Sequence, residues 1–135
     1  MKVIHLISGG DTGGAKTHVL SLLQQLNRTI TAQLVCFRAG KFSEEAQERG
    51  IPTEIFDSQN VKKTYQALRA YIRDGAYDVI HCHGARANMM GALLRRSTGL
   101  PVVTTVHSDY KLDYMGRPLG KLTYGNINAV ALRCV

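Results

Sequence analysis

The chain has 135 residues, 44% of them hydrophobic and 20% charged, and carries a formal net charge of +7. That is the size and composition of one ordinary globular domain with its own core, and no apolar run is long enough to cross a membrane. The basic residues, from Lys62 and Lys63 through Arg86 and Arg95 to Lys121, are scattered without aromatic interleaving. This speaks against a nucleic-acid partner and leaves phosphate-bearing small molecules or an anionic membrane surface.

Lys2–Ile7 is an apolar strand reached directly from Met1, so the expectation is a chain without a signal peptide. Ser8-Gly9-Gly10-Asp11-Thr12-Gly13-Gly14-Ala15 follows, and then a helix over 15–27 with Val19, Leu22, Leu23 and Leu26 on one face. A strand at 30–37 leads to a short helix at 43–49, with Ser43 as its cap and Gly50 as its stop. A strand at 51–56 is followed by a helix over Val61–Asp74 capped by Asn60. Its Val61, Tyr65, Leu68 and Ile72 line one face, and Lys62, Arg69 and Arg73 another. A strand at 77–81, a helix at 86–96 stopped by Gly99, and a strand at 101–106 come next. Residues 118–135 read as a weak helix opened by Pro118 and ending on an apolar turn without a cap. The expectation from that ending is a truncated chain whose reading frame continues into a second α/β domain. Cys36, Cys82 and Cys134 are odd in number and each sits in an apolar segment, so buried reduced thiols in the cytoplasm are expected.

Alternating strands and helices imply a doubly wound α/β domain with a parallel sheet covered on both faces. Right-handed crossovers then give strand order 3-2-1-4-5, with the crevice between strands 1 and 4. Three distinctive segments end at its carboxyl edge: the glycine loop, His81-Cys82-His83-Gly84, and His107-Ser108-Asp109-Tyr110. Glycines between a strand and a helix allow a ligand to approach the main chain, and the positive end of the helix dipole favours an anion there.

Several chemistries compete for this edge. Gly10 to Thr17 nearly spells a P-loop, but Ala15 stands where a glycine is required, and no later strand ends in an aspartate for magnesium. The dinucleotide pattern fails on spacing, and strand 2 ends Cys36-Phe37-Arg38 without the acidic ribose partner. His81 and His83 share one side of a strand, and a metal there would need His107, Asp109 or Asp113 as well. The plainer reading makes His81 a hydrogen-bonded histidine within the sheet and His83 a loop residue facing the crevice, with no metal or cofactor. Tyr110, Lys111, Tyr114 and Arg117 form an aromatic and basic loop suited to gripping a sugar or head group. A P-loop-like nucleotide-binding protein and a non-catalytic α/β ligand-binding module remain open alternatives.

Val3 to Leu20 with Gly13-Gly14, Tyr77-Asp-Val-Ile-His-Cys-His83-Gly84, and Pro101-Val-Val-Thr-Thr-Val-His107-Ser108 together resemble the amino-terminal half of retaining GT-B glycosyltransferases of family 4. The match runs through the chain in order and spacing. The resemblance implies one half of a GT-B architecture, the acceptor-side Rossmann-like domain over residues 1–135, without the carboxyl-terminal donor-binding domain. It implies an enzyme that moves a sugar from a nucleotide-diphospho-sugar donor to a sugar, lipid or small-molecule acceptor with retention. The isolated fragment is expected to be inactive. By position, His107 would be the catalytic residue beside the reacting sugar, and Gly13 and Gly14 would lie against the donor diphosphate. His83 and Gly84 would line the cleft floor, and Lys16 and Ser108 complete the substrate-binding set. Lys16 departs from the acidic residue that the family often has there. A cytoplasmic location, with peripheral contact to an anionic membrane, is the matching expectation.

Overall fold

The computed structural model describes residues 1–10, 13–57 and 59–106. Elements alternate in chain order: β1 (Lys2–Ile7), α1 (Gly13–Leu26), β2 (Thr31–Cys36), α2 (Lys41–Glu48), β3 (Thr53–Ile55), α3 (Val61–Asp74), β4 (Val79–His83), α4 (Ala85–Thr98) and β5 (Val102–Thr105). The sheet runs β3-β2-β1-β4-β5 with every pair parallel, as the alternation of elements predicts. The winding therefore reverses between β1 and β4. At the amino edge a reciprocal clamp sets their register: Lys2 N donates to Asp78 Oδ2 at 2.7 Å, and Asp78 N donates to the Lys2 carbonyl at 2.8 Å.

Period-two alternation sends the strand side chains to two cores. On one face Ile4, Leu6, Val35, Ile80, Cys82 and Val102 pack against α3 and α4 through Leu68, Ile72, Met90 and Leu94. On the other, Ile7, Ala32, Leu34 and Cys36 pack against Val19, Leu20 and Leu23 of α1 and Phe42 and Ala46 of α2. The two described cysteines, Cys36 and Cys82, are buried and form no disulfide. Burial pushes the Cys82 thiol up to about 12, which keeps it protonated and inert.

Several local readings are corrected. α1 buries Leu20 where Leu22 was expected, and it begins at Gly13, two positions earlier. α2 begins at Lys41 with Gly40 as its N-cap; Ser43 lies inside the first turn, where its Oγ accepts from Gly40 N at 3.1 Å. On α3, Val61 stays 45% exposed, while Thr64 is buried and satisfied by donating to the Asn60 carbonyl. Asn60 does cap α3, accepting from Lys63 N. β3 starts at Thr53, not at residue 51.

The correction with most consequence concerns β4, which spans Val79–His83 and not 77–81. His83 is a strand residue, paired with Ile7 on one side and Thr105 on the other, and it is not in a loop. A central strand is held from both sides by backbone hydrogen bonds, so a polar side chain does not end it. The expected helix at 118–135, the loop from Tyr110 to Arg117, Cys134, and the site residues His107 and Ser108 lie outside the described residues.

Candidate functional site

The carboxyl ends of β1 and β4 meet at the winding reversal, and glycine opens the chain at both. After β1, Gly9 is buried with φ +89°, and a Cβ there would meet the Arg38 carbonyl oxygen at 2.5 Å. Only glycine fits, because the backbone must turn against the end of β2. Gly13 (φ +64°), Gly14 and Gly84 (φ +85°) are a different case. All three are exposed, and a Cβ on any of them would meet nothing within 4 Å among the described residues. Space is left above the main chain at the two places where helices begin.

Both helices point their amino termini at this edge. Neither α1 nor α4 has an acidic residue in its first turn, and α4 has no side-chain cap on Gly84. The partial positive charge of each terminus is therefore not neutralised within its own helix. Two guanidinium groups add to it. A Cβ on Gly10 would lie 3.5 Å from Arg38 Nη1, so this side chain reaches back over the glycine segment. Arg86, in the first turn of α4, stacks over the Phe37 ring at 5.2 Å. Sequence reading used Arg38 only as the absence of an acid; its position at the end of β2, next to β1, was the available signal.

Lys16 has a partner on α2. Its Nζ pairs with Glu45 Oε2 on α2 at 2.5 Å, and Arg49 holds the other carboxylate oxygen at 2.6 Å. The two hydrogen bonds, Lys16 first, hold the Glu45 carboxyl below its ordinary range. Beneath the edge lies a polar group that sequence reading missed in part. His5, His81 and His83 gather on one face of the β1–β4 pair, with nitrogens within 4.8 Å of one another. His81 was expected to be hydrogen-bonded in the sheet, and its Nε2 lies 2.7 Å from Thr105 Oγ1. His83 is 1% exposed, and its Nε2 lies 3.1 Å from His5 Nδ1. His5 escaped notice because a lone histidine in an apolar strand carries no pattern; only the pairing of His5 with His81 across the sheet reveals it.

Two cavities among the described residues lie away from the β1–β4 reversal. One of about 270 Å³ sits between α3 and α4 at the amino end of the strands, bordered by Arg69, Arg73 and Thr98.

A parallel sheet in this order, with two glycine-opened helix termini at its reversal, defines a Rossmann-like layer that presents an anion-favouring edge. The chain belongs to Glycosyltransferase Family 4, whose model matches residues 12–131. No curated protein sequence matches it. Its fold is similar to that of Anabaena Alr3699/HepE, solved in complex with UDP-glucose, at 20% identity and a TM-score of 0.76, covering 94% of this chain and 34% of that one. It is also similar to MurG of Acinetobacter baumannii (20% identity, TM-score 0.63, 77% of this chain and 33% of that one). The MnaA–UDP structure from S. aureus is a third, at 16% identity and a TM-score of 0.61, covering 94% and 35%. The chain thus spans about a third of the length of these structures, and at such identities the likeness is one of fold.

Proposed function

We propose that the chain is the amino-terminal, acceptor-side half of an enzyme that transfers a sugar from a nucleotide-diphospho-sugar to an acceptor with retention of configuration. The observation that carries this reading is the pair of helix termini, opened by exposed Gly13, Gly14 and Gly84, at the reversal of a family 4 sheet. Solved neighbours of this fold hold UDP-glucose and UDP, which supports a nucleotide-sugar as the donor. In the reaction, negative charge grows on the departing diphosphate. Backbone N–H groups and helix dipoles fixed beforehand stabilise that charge without reorganising, and closure against a second domain excludes the water that would hydrolyse the donor.

His107, which follows the apolar run through Val106, is assigned to the reacting sugar, with Ser108 beside it. In the full-length protein, His107→Ala should lower kcat on the order of a hundredfold with little change in Tm. NMR of the product's anomeric configuration tests retention. Near-normal turnover combined with a lowered Tm would remove His107 from the site, and an inverted product would overturn the retaining assignment. The 135-residue chain alone is expected to give no transfer. The acceptor is a sugar, a lipid or a small molecule. The exposed Lys62, Arg69 and Arg73 of α3 support peripheral contact with the cytoplasmic face of an anionic membrane, a contact screened by salt. Equal sedimentation of the protein with neutral and anionic vesicles at low salt would contradict that contact.

A further inference from the structure

The mechanism outlined above leaves His5 unused, although it is a fully buried polar side chain in the middle of β1. Its Nδ1 lies 3.1 Å from His83 Nε2, and its Nε2 has no hydrogen-bond partner among the described residues. The His5 and His83 rings are within 12° of parallel with centroids 5.5 Å apart. That separation is about the N···N distance plus two ring radii, so the rings meet edge to edge in one plane. The His81 ring lies against both, at 4.7 Å from His5 and 4.4 Å from His83.

One proton sits between the two facing nitrogens, and a neutral imidazole has one N–H and one acceptor nitrogen. If His5 accepted at Nδ1, its own proton would be on Nε2, a buried N–H without a partner. If His5 donates from Nδ1, Nε2 is a bare lone pair. Orphaned N–H groups are the rarer of the two defects in folded proteins, and an unsatisfied buried donor costs its full desolvation. Burial, and then the neighbouring His81, lower the pKa of His5 to about 3, so the neutral form applies at physiological pH.

We infer that His5 donates its Nδ1–H to His83 Nε2 and thereby fixes His83 as the Nδ1–H tautomer. His83 is the last residue of β4 and directly precedes Gly84, the N-cap of α4. One tautomer means one hydrogen-bonded arrangement at this strand end, and so one presentation of the α4 terminus to a phosphoryl or sugar oxygen. His5 is thus a positioning residue that acts through His83. The consequence for ligand binding rests on the function proposed above; the tautomer assignment does not.

The test is ¹⁵N NMR of the imidazoles in this chain, joined to UDP-glucose binding by the full-length protein. In the wild type, both His5 and His83 should show a protonated Nδ1 and an unprotonated Nε2. His5→Asn places an amide N–H near the position of Nδ1 and should keep His83 in one tautomer. His5→Leu removes the donor and should leave His83 in a mixture, with UDP-glucose binding about fivefold weaker, the loss expected for one neutral hydrogen bond. Asn should restore most of that affinity. A His83 protonated on Nε2 in the wild type would overturn the assignment, as would Asn and Leu variants with the same tautomer mixture. A cobalt(II) titration that shifts His5 and His83 together at stoichiometric metal would also overturn it, because the cluster would then be a metal site. Should His5→Leu fail to fold, the wild-type and Asn spectra still decide. A full-length wild type that ignores UDP-glucose while keeping the Nδ1–H pattern would sink the UDP-glucose reading of the donor and leave His5 standing.

Discussion

At the root of the glycine segment after β1, Gly9 is buried, and a Cβ there would press on the Arg38 carbonyl oxygen at 2.5 Å. At its far end, Gly13 also holds a positive φ, yet a Cβ there would meet nothing within 4 Å among the described residues. The first glycine is demanded by the protein's own packing, whereas the second leaves room that the described residues do not fill. Gly84 at the end of β4 repeats the open case. A glycine motif is therefore two motifs of different purpose, and surrounding space separates them where sequence cannot. In the proposed function the open set faces the ligand, while the closed set holds the chain against the end of β2.

The largest expected effect falls on the closed side. Gly9→Ala combines left-handed strain with a backbone clash and should cost about 4 kcal/mol of stability, read by urea unfolding. A loss under about 1 kcal/mol would show that the contact with β2 yields easily and would erase the contrast.

Next comes the polar layer beneath the edge. Burial, and then His81, hold the folded His5 pKa near 3 against 6.5 in the unfolded chain. His81 and His83 are the titratable groups that face it. Between those values the unfolded state binds the proton, so stability is full above pH 6.5 and falls as the pH drops toward 3. The loss should reach about 2 kcal/mol by pH 5. His5→Leu should flatten this slope. A slope that persists unchanged in that variant would place the titration elsewhere.

The smallest stability effect belongs to the open glycines. Gly13→Ala should cost about 1 kcal/mol, and Gly84→Ala, whose φ +85° and ψ 170° lie where L residues are strained, about 1 to 2 kcal/mol. They should weaken donor binding by more than they lower Tm suggests. Variants that lose stability as much as Gly9→Ala would make both ends of the segment structural.

Much of this was legible in the sequence. Apolar strands of near-continuous hydrophobicity, Asn60 before α3 and Gly99 after α4 gave the elements, and crossover handedness gave their order. What was not legible depended on contacts across the sheet. His83 looked like a loop residue because it is polar and precedes glycine; its membership of β4 follows from pairing with Ile7 and Thr105. His5 had no local signature, and its meaning lies in the register that sets it beside His81. Ser43 is a good cap by type, but the turn at Gly40 starts α2 earlier. Lys16 shows no partner in its own segment, and Glu45 on α2, distant in sequence, pairs with it.

The most direct test of the central claim is a map of backbone amide shifts in the ¹⁵N-labelled full-length protein titrated with UDP-glucose. The account predicts that the largest shifts fall on Gly13, Gly14 and Gly84 and on the first turns of α1 and α4. Shifts that leave these glycines unmoved, or that gather around Arg69, Arg73 and Thr98 at the opposite end of the strands, would contradict it.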